Sequence, residues 1–417
     1  MTATLQLSRN WLGRLRAGAL APYAGIYEGY LGERGCAPST KKGYLRCLVH
    51  LGWWMSQCGL DAENLDEGVV AQFPDGHLPQ CRCPFPVRHT RGELRAALGH
   101  LLVVLRANAV IPERVLETTP VDEEVRRFDA HMDQVRGLAA ATQRFDRHIV
   151  RCFLLQQFGN DPVDFAAIKP EAVRRFITDQ STHYSSPVGV ARLIAALRGY
   201  LRFRIACGDP VQALSAVPIA PRRWRQAALP KALSGSEVER LVASLGWEGP
   251  SARRADAMVR LALDLGLRCG EIAGLALDDI NWRVGTVRLR RTKGGREDIL
   301  PLPETTGRAI ADYLRLERPP TTSRAVFIRR IAPGGRPVGP DCVGKTIRQA
   351  YARAGLPYTG AHLLRHTMAS RLLASGSSLK EVADVLRHRS LDTTLIYAKL
   401  DIHSLSTVAR PWPGETK

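Results

Sequence analysis

The sequence has no apolar stretch near the roughly 20 residues that a membrane-spanning helix needs, so no membrane partner is expected. Its start, Met1-Thr2-Ala3-Thr4-Leu5, lacks a charged lead followed by an apolar core. No secretory leader is read there, and a cytoplasmic protein is expected. A disulfide framework is missing too: Cys36, Cys47, Cys58, Cys81, Cys83, Cys152, Cys207, Cys269 and Cys342 are odd in number and irregularly spaced, which fits a reducing compartment. Nor is there a second Cys pair to match Cys81-Arg82-Cys83. With His77 and His89 nearby that pair is at most half of a zinc site; reduced thiols in a loop are the preferred reading, and no metal is expected. The last shortage is acidic charge, with 40 Asp plus Glu against 59 Lys plus Arg, a net charge of +19 and a pI near 10.0. Such a balance is that of a polyanion binder, and the dominance of arginine suits forked contacts with phosphate.

At 417 residues the chain is long enough for two or three domains, each with its own core. Its most informative stretch runs from His362 to Tyr397. His362 and Arg365 stand three apart and share one helix face, while Leu364, Met368, Leu372 and Leu373 predict a buried stripe on the other. Gly376 ends that helix. Ser378-Leu379-Lys380-Glu381 has the form of a capping box and opens a second helix with Leu379, Val382, Ala383 and Leu386 on one side. His388 lies just past it, and after a polar turn a third short helical segment carries Tyr397.

These residue types suit attack of a tyrosine hydroxyl on a phosphodiester. Negative charge spreads over the non-bridging oxygens in the transition state, so the protein's task is positioning and charge stabilisation. Arginine keeps its charge and its planar fork fits two phosphate oxygens. A tyrosine with an ordinary pKa of about 10 needs a base or a cation to give up its proton, and histidine serves near neutral pH. A complete site needs a second arginine and an acid for the leaving oxygen. Arg268 follows Gly266, which interrupts an apolar helix of Met258, Leu261, Ala262 and Leu265, and Glu271 one turn later is placed to hold the guanidinium. Lys293 lies beside Gly294-Gly295 between two alternating runs, Val287 onward and up to Leu300. That pattern predicts a β-hairpin with a mobile ammonium at its tip, suited to protonating the departing oxygen. Taken singly, each group has an ordinary explanation: a solvated His-x-x-Arg face, a surface ion pair, a common hairpin tip, a packing tyrosine. All of them together, in order, do not.

Arg268, Lys293, His362-x-x-Arg365, His388 and Tyr397 resemble the catalytic set of the tyrosine recombinases, the family of phage integrases, Cre and the bacterial chromosome-dimer resolvases. The step from His388 to Tyr397 (397 − 388 = 9) matches as well. The resemblance implies that Tyr397 attacks the scissile phosphate, giving a 3′-phosphotyrosyl link and a free 5′-hydroxyl. Arg268 and Arg365 would bind the non-bridging oxygens with a further hydrogen bond from His388, Lys293 would protonate the 5′-oxygen, and His362 would accept the tyrosine's proton. No metal and no nucleotide cofactor is implied, because the phosphotyrosine retains the bond energy that reseals the strand. The implied fold is mainly α with a small antiparallel β-sheet, in which helical core-binding domains and a catalytic domain form a C-shaped clamp around double-stranded DNA. Implied partners are DNA and further copies of the chain, a DNA-bound tetramer, and in some mobile elements long relatives work beside sister recombinases. One departure stands out: many relatives have glycine before the second histidine, where this chain has Leu386-Arg387-His388. The change bears on the turn and offers a phosphate contact from Arg387.

The function implied is a site-specific recombinase or integrase of a mobile element. Two other readings stay open: a type IB topoisomerase-like nicking and closing enzyme, which two upstream binding modules disfavour, and a non-catalytic DNA-binding accessory protein. Upstream, residues 1–115 read as a helical module, 120–215 as a helical core-binding domain, 216–233 as a basic Pro-rich linker and 234–417 as the catalytic domain. Arg34-Gly35 with Thr40 and Arg136-Gly137 with Thr142 share one offset (136 − 34 = 102; 142 − 40 = 102), which makes the first module a candidate duplicate of the second. Phe73-Pro74 to Pro79 is expected to break regular structure. The helix from Val190 to Ala206 carries Arg192, Arg198, Arg202 and Arg204, either a phosphate-facing or a simply solvated face. Ser234 to Glu237 is a second capping-box pattern opening a helix. Affinity for DNA should fall steeply with salt, since each phosphate contact releases counterions.

Overall fold

The computed structural model describes residues 18–83, 90–113, 118–221, 231–290, 297–358, 360–388 and 394–400. It divides into two compact units: the chain up to Glu113 and again from Ala228, and Arg114–Ala227. Among the described residues no helix is long and apolar enough to cross a membrane.

The first segment holds α1 (Ala24–Glu33), α2 (Pro38–Cys58), α3 (Glu67–Gln72) and α4 (Arg91–Ala107). Leu94, Leu98, Leu101 and Leu105 recur at helical spacing on α4 and are all fully buried, against Leu45, Leu48, Leu51 and Met55 of α2 and Tyr27 of α1. The Tyr27 hydroxyl donates to the Ala97 carbonyl at 2.8 Å. Residues 73–80 do not break regular structure as expected. A π-helical turn, Phe73–His77, and a 3-10 turn, Leu78–Gln80, continue from α3, because Phe73, Pro74 and Leu78 find buried positions that hold the backbone in tight turns.

The second unit comprises α5 (Pro120–Gln134), α6 (Ala140–Phe158), α7 (Pro170–Ser181), α8 (Pro187–Ala206) and the short α9 (Gln212–Ser215). Phe128, Phe153, Phe176 and Tyr200 fill its core. On α8, Arg192, Arg198 and Arg202 are exposed, but Arg204 is buried and gives its guanidinium to Glu124 at 3.1 Å and to Asp209 at 2.6 Å. That arginine is part of the core, not of a surface face.

The C-terminal segment begins with α10 (Gly235–Ala243), opened by the expected Ser234–Glu237 capping box. It continues through α11 (Ala252–Asp264), α12 (Cys269–Ala273), α13 (Glu304–Leu316), α14 (Pro340–Arg353), α15 (His362–Ala374), α16 (Leu379–Val385) and a 3-10 segment, Leu395–Leu400. Helix α11 is central: Ala257, Met258, Val259, Leu261, Ala262 and Leu263 are buried, and it packs on α13, α14 and α15. Three antiparallel strands, β1 (Ile280–Asn281), β2 (Thr286–Leu289) and β3 (Asp298–Pro301), form the sheet in that order. Val287, Leu289 and Leu300 point into the core while Arg288 and Ile299 face out, the period of two that fixed the register in the sequence. The hairpin tip, residues 291–296 with Lys293, lies outside the described residues.

Candidate active site

Four segments converge on a buried cluster of charge. Helix α11 stops at Asp264, and Gly266 adopts φ 61°, in the left-handed region that favours glycine. A Cβ at this position would also stand 3.2 Å from Leu386 Cδ2 and 3.6 Å from Arg365 Cγ, so the missing side chain lets the catalytic-region segments close on one another. The turn delivers Arg268 to the start of α12. Its backbone N–H donates to Glu271 Oε2 at 2.8 Å and its Nη1 to Glu271 Oε1 at 2.6 Å.

Arg365 does not lie on a solvated face, the ordinary alternative for a lone His-x-x-Arg pair. It is 5% exposed, and its guanidinium donates to two backbone carbonyls, that of Gly266 at 2.6 Å and that of Leu386. One side chain on α15 thereby ties the end of α11 to the end of α16. Thr367, two residues further along α15, accepts the Leu233 N–H at 2.9 Å.

Arg387 stands where the resemblance leads to an expectation of glycine, and it adopts φ 55°, in the left-handed region that favours glycine. A non-glycine residue in this region is strained by roughly 1 kcal/mol or more. Its side chain supplies the compensation: Nη2 donates to Glu271 Oε2 at 2.8 Å, with both side chains about 5% exposed or less. The Arg387 guanidinium, which the sequence offers to phosphate, is here engaged by Glu271. Burial opposes the charge on Glu271, but Arg387 and then Arg268 outweigh it and hold the carboxylate below its usual range. Burial, with Arg268 and Arg387 adding, pulls Arg365 below the usual guanidinium range. Three guanidiniums thus gather about one carboxylate, an arrangement that favours an incoming anion.

Tyr397 lies in the 3-10 segment, 1% exposed among Met368, Ala369, Val382 and Leu386. Its hydroxyl is 2.5 Å from His366 Nδ1. Burial raises the phenol to about 12, and Arg365 acts in the opposite direction. Burial, then His362 and Arg365, lower His366, so its ring is neutral and able to accept a proton. His366 was missed in the sequence because the His-x-x-Arg spacing drew attention to its neighbour. Its partner is 31 residues away, across two turns, and no local pattern signals that contact. His362 itself is exposed at the head of α15 and bears on His366 electrostatically.

His388 follows α16, as expected, with Nδ1 2.7 Å from Thr394 Oγ1. Burial first, then Arg365 and Arg268, lower it to about 4. The unfolded value is about 6.5, so between the two the unfolded chain binds a proton that the folded chain does not. Stability should therefore be full above about pH 6.5 and decline as pH falls toward about 4. Urea unfolding at pH 7 and pH 5 measures this; His388→Gln should flatten the slope, and an unchanged slope in that variant would count against the assignment. The structure thus brings Arg268, Arg365, His388 and Tyr397 together, shows Glu271 holding Arg268 as the sequence suggests, and adds His366; Lys293 lies outside the described residues.

Residues 231–403 match the phage integrase family. A protein of Sinorhizobium fredii named as an integrase/recombinase, y4rA, is 37% identical over 412 residues, spanning 97% of this chain and 98% of the relative. Tyrosine recombinase XerD of Mycobacterium tuberculosis is 32% identical over 305 residues, 68% of this chain and 94% of the relative. The chain belongs to the tyrosine recombinase family. As a tyrosine recombinase it is a DNA strand-transferring enzyme of site-specific recombination, as anticipated from the sequence. Its fold agrees with crystal structures at low identity. XerH, in a post-cleavage complex with its difH substrate, aligns at TM-score 0.50 and 16% identity over 90% of this chain and 97% of XerH. A lambda integrase dimer on a COC′ core site aligns at TM-score 0.51 and 14% identity over 71% of this chain and 98% of that one. The expected mainly α recombinase fold with one small antiparallel sheet is the one found.

Proposed function

We propose that this recombinase cleaves and rejoins DNA through a 3′-phosphotyrosyl intermediate on Tyr397. The observation that carries the reading is the Tyr397 hydroxyl, 2.5 Å from a neutral His366, in the field of a buried Arg365 that Arg268 also feels. As the phenolic oxygen bonds to phosphorus, its proton passes to His366 Nδ1, with His362 as the group to which it can be handed on. The bond from phosphorus to the 5′-oxygen breaks, and that oxygen takes a proton from Lys293. Arg268 and Arg365 neutralise the charge that grows on the non-bridging oxygens. Where the Thr394 hydroxyl donates to His388 Nδ1, the neutral imidazole carries its proton on Nε2, ready to donate to one of those oxygens.

The partner in this reading is double-stranded DNA, bound by copies of the chain assembled as a tetramer, with a mobile element as the setting. Residues 120–215 serve as the core-binding domain, and exposed Arg192, Arg198 and Arg202 supply phosphate contacts. Residues 1–115 form a second copy of that module. Three correspondences support the duplication. Gly35 and Gly137 both have positive φ, α2 and α6 begin 102 residues apart (140 − 38 = 102), and 3-10 turns at Ala62–Asn64 and Phe165–Ala167 each precede a further helix.

DNA fragments recovered with Tyr397 from cells would define the target, and a nicked suicide substrate built on it is the test. Wild type should form a covalent protein–DNA adduct and Tyr397→Phe none. Adduct from neither protein would point to a DNA-binding accessory factor; relaxation of supercoiled DNA without strand exchange would point to a nicking and closing enzyme.

A further inference from the structure

The first module contains a cluster that the proposed strand-transfer chemistry does not involve. His50 lies in the middle of α2, fully buried, in the apolar run Leu48-Val49-His50-Leu51. His77 closes the π-helical turn, and Cys81 and Cys83 follow within six residues. The two imidazole Nε2 atoms are 3.0 Å apart. His50 Nε2 also lies 3.1 Å from Cys83 Sγ and 3.4 Å from Cys81 Sγ, and Cys83 Sγ lies 3.4 Å from His77 Nε2. All four ligand atoms fall within 4.8 Å of one another.

Hydrogen bonding does not account for that convergence. Nε2 of a neutral imidazole has either one lone pair or one proton, so it makes one good hydrogen bond. Here three polar atoms crowd onto the same nitrogen of His50. A cation in their midst satisfies all four at once. Metal–ligand bonds of about 2.0–2.1 Å to nitrogen and about 2.3 Å to sulfur place the corners of a tetrahedron about 3.3–3.8 Å apart. Four of the separations are 3.0, 3.1, 3.4 and 3.4 Å, and no pair is further apart than 4.8 Å, close to the spacing such a tetrahedron needs.

We propose that His50, His77, Cys81 and Cys83 form a structural zinc(II) site. Two thiolates with two imidazoles in a closed, four-ligand set is the donor chemistry zinc favours, with no position left open for substrate. Phe73 stacks on His77 at 5.3 Å and meets His50 edge-on at 4.9 Å, and Trp54 lies beside both Phe73 and His77. These rings pack against both imidazoles and fix their orientation; His50 is buried, while His77, Cys81 and Cys83 are half-buried. The zinc clamps the turns of residues 73–83 onto the long helix α2, a tie made by one buried ligand from the helix and three from the turns. The cysteines that the sequence presents as ordinary reduced thiols are, on this reading, thiolate ligands. His89, the other histidine near the pair in sequence, lies outside the described residues.

The test uses the full chain, purified without chelator. Elemental analysis should find about one zinc per chain in wild type, background in a Cys81→Ser, Cys83→Ser double variant, and the wild-type amount in Cys152→Ser. Replacement by cobalt(II) should give the visible bands of a tetrahedral ion with thiolate charge transfer, absent in the double variant. EDTA should lower the wild-type Tm and leave the double variant's unchanged. His77→Cys, which keeps a ligand, should retain zinc where His77→Ala loses it, which separates loss of a ligand from loss of the fold. Wild type that takes up neither zinc nor cobalt, or equal zinc in wild type and the double variant, overturns the proposal.

Discussion

Arg365→Ala should abolish detectable strand cleavage and also loosen the fold, whereas Arg365→Lys should fold and cleave more slowly by about 10²–10³. The two losses have different origins. Alanine removes both the charge and the two hydrogen bonds to the Gly266 and Leu386 carbonyls, leaving buried acceptors without that partner. Lysine restores a cation but as a point charge; it cannot bridge two carbonyls while presenting a planar edge to phosphate. Single-turnover cleavage of a suicide substrate, paired with urea unfolding, separates the effects. A lysine variant within about threefold of wild type would show that forked geometry is not what the site requires.

Glu271→Ala carries the largest expected cost in stability, about 3–5 kcal/mol, the range for removing one partner of a buried ion pair. Its carboxylate holds Arg268 and Arg387, and its removal would leave two guanidiniums facing a third, Arg365, in a buried site. Glu271→Gln should cost less, since an amide oxygen can still accept the Arg268 N–H. Inorganic phosphate or a DNA duplex should recover part of the alanine variant's loss by supplying negative charge to the same place. Chemical unfolding with and without phosphate measures both effects; a loss under about 1 kcal/mol would mean that solvent reaches and screens the cluster.

The element order of the catalytic segment was legible because each device is local. Capping boxes at Ser234 and Ser378, the break at Gly266 and the alternation of Val287, Leu289 and Leu300 are all short-range patterns with one physical outcome. What escaped was long-range. His366 meets Tyr397 only after two helices fold back, and Arg365 is buried despite its charge because α15 crosses the Gly266 turn. Nor does the sequence show that Arg387, which bears on the turn before His388, takes φ 55° there and sends its side chain inward to Glu271. His50 was invisible for a similar reason. It sits in a helix whose stripe of Tyr44, Leu48, Leu51 and Trp54 reads as core, and its three companions begin 27 residues later.

The concealment of Tyr397 has a consequence for how the protein meets a genome. A chain of pI near 10.0 will touch any duplex it encounters, and most of those encounters are at the wrong sequence. On the proposed role of Tyr397, its 1% exposure means that such chance collisions should leave no nick, because the phenolic oxygen must first be brought out. Discrimination then resides in whatever unlocks the segment around residue 397, before any bond is made or broken.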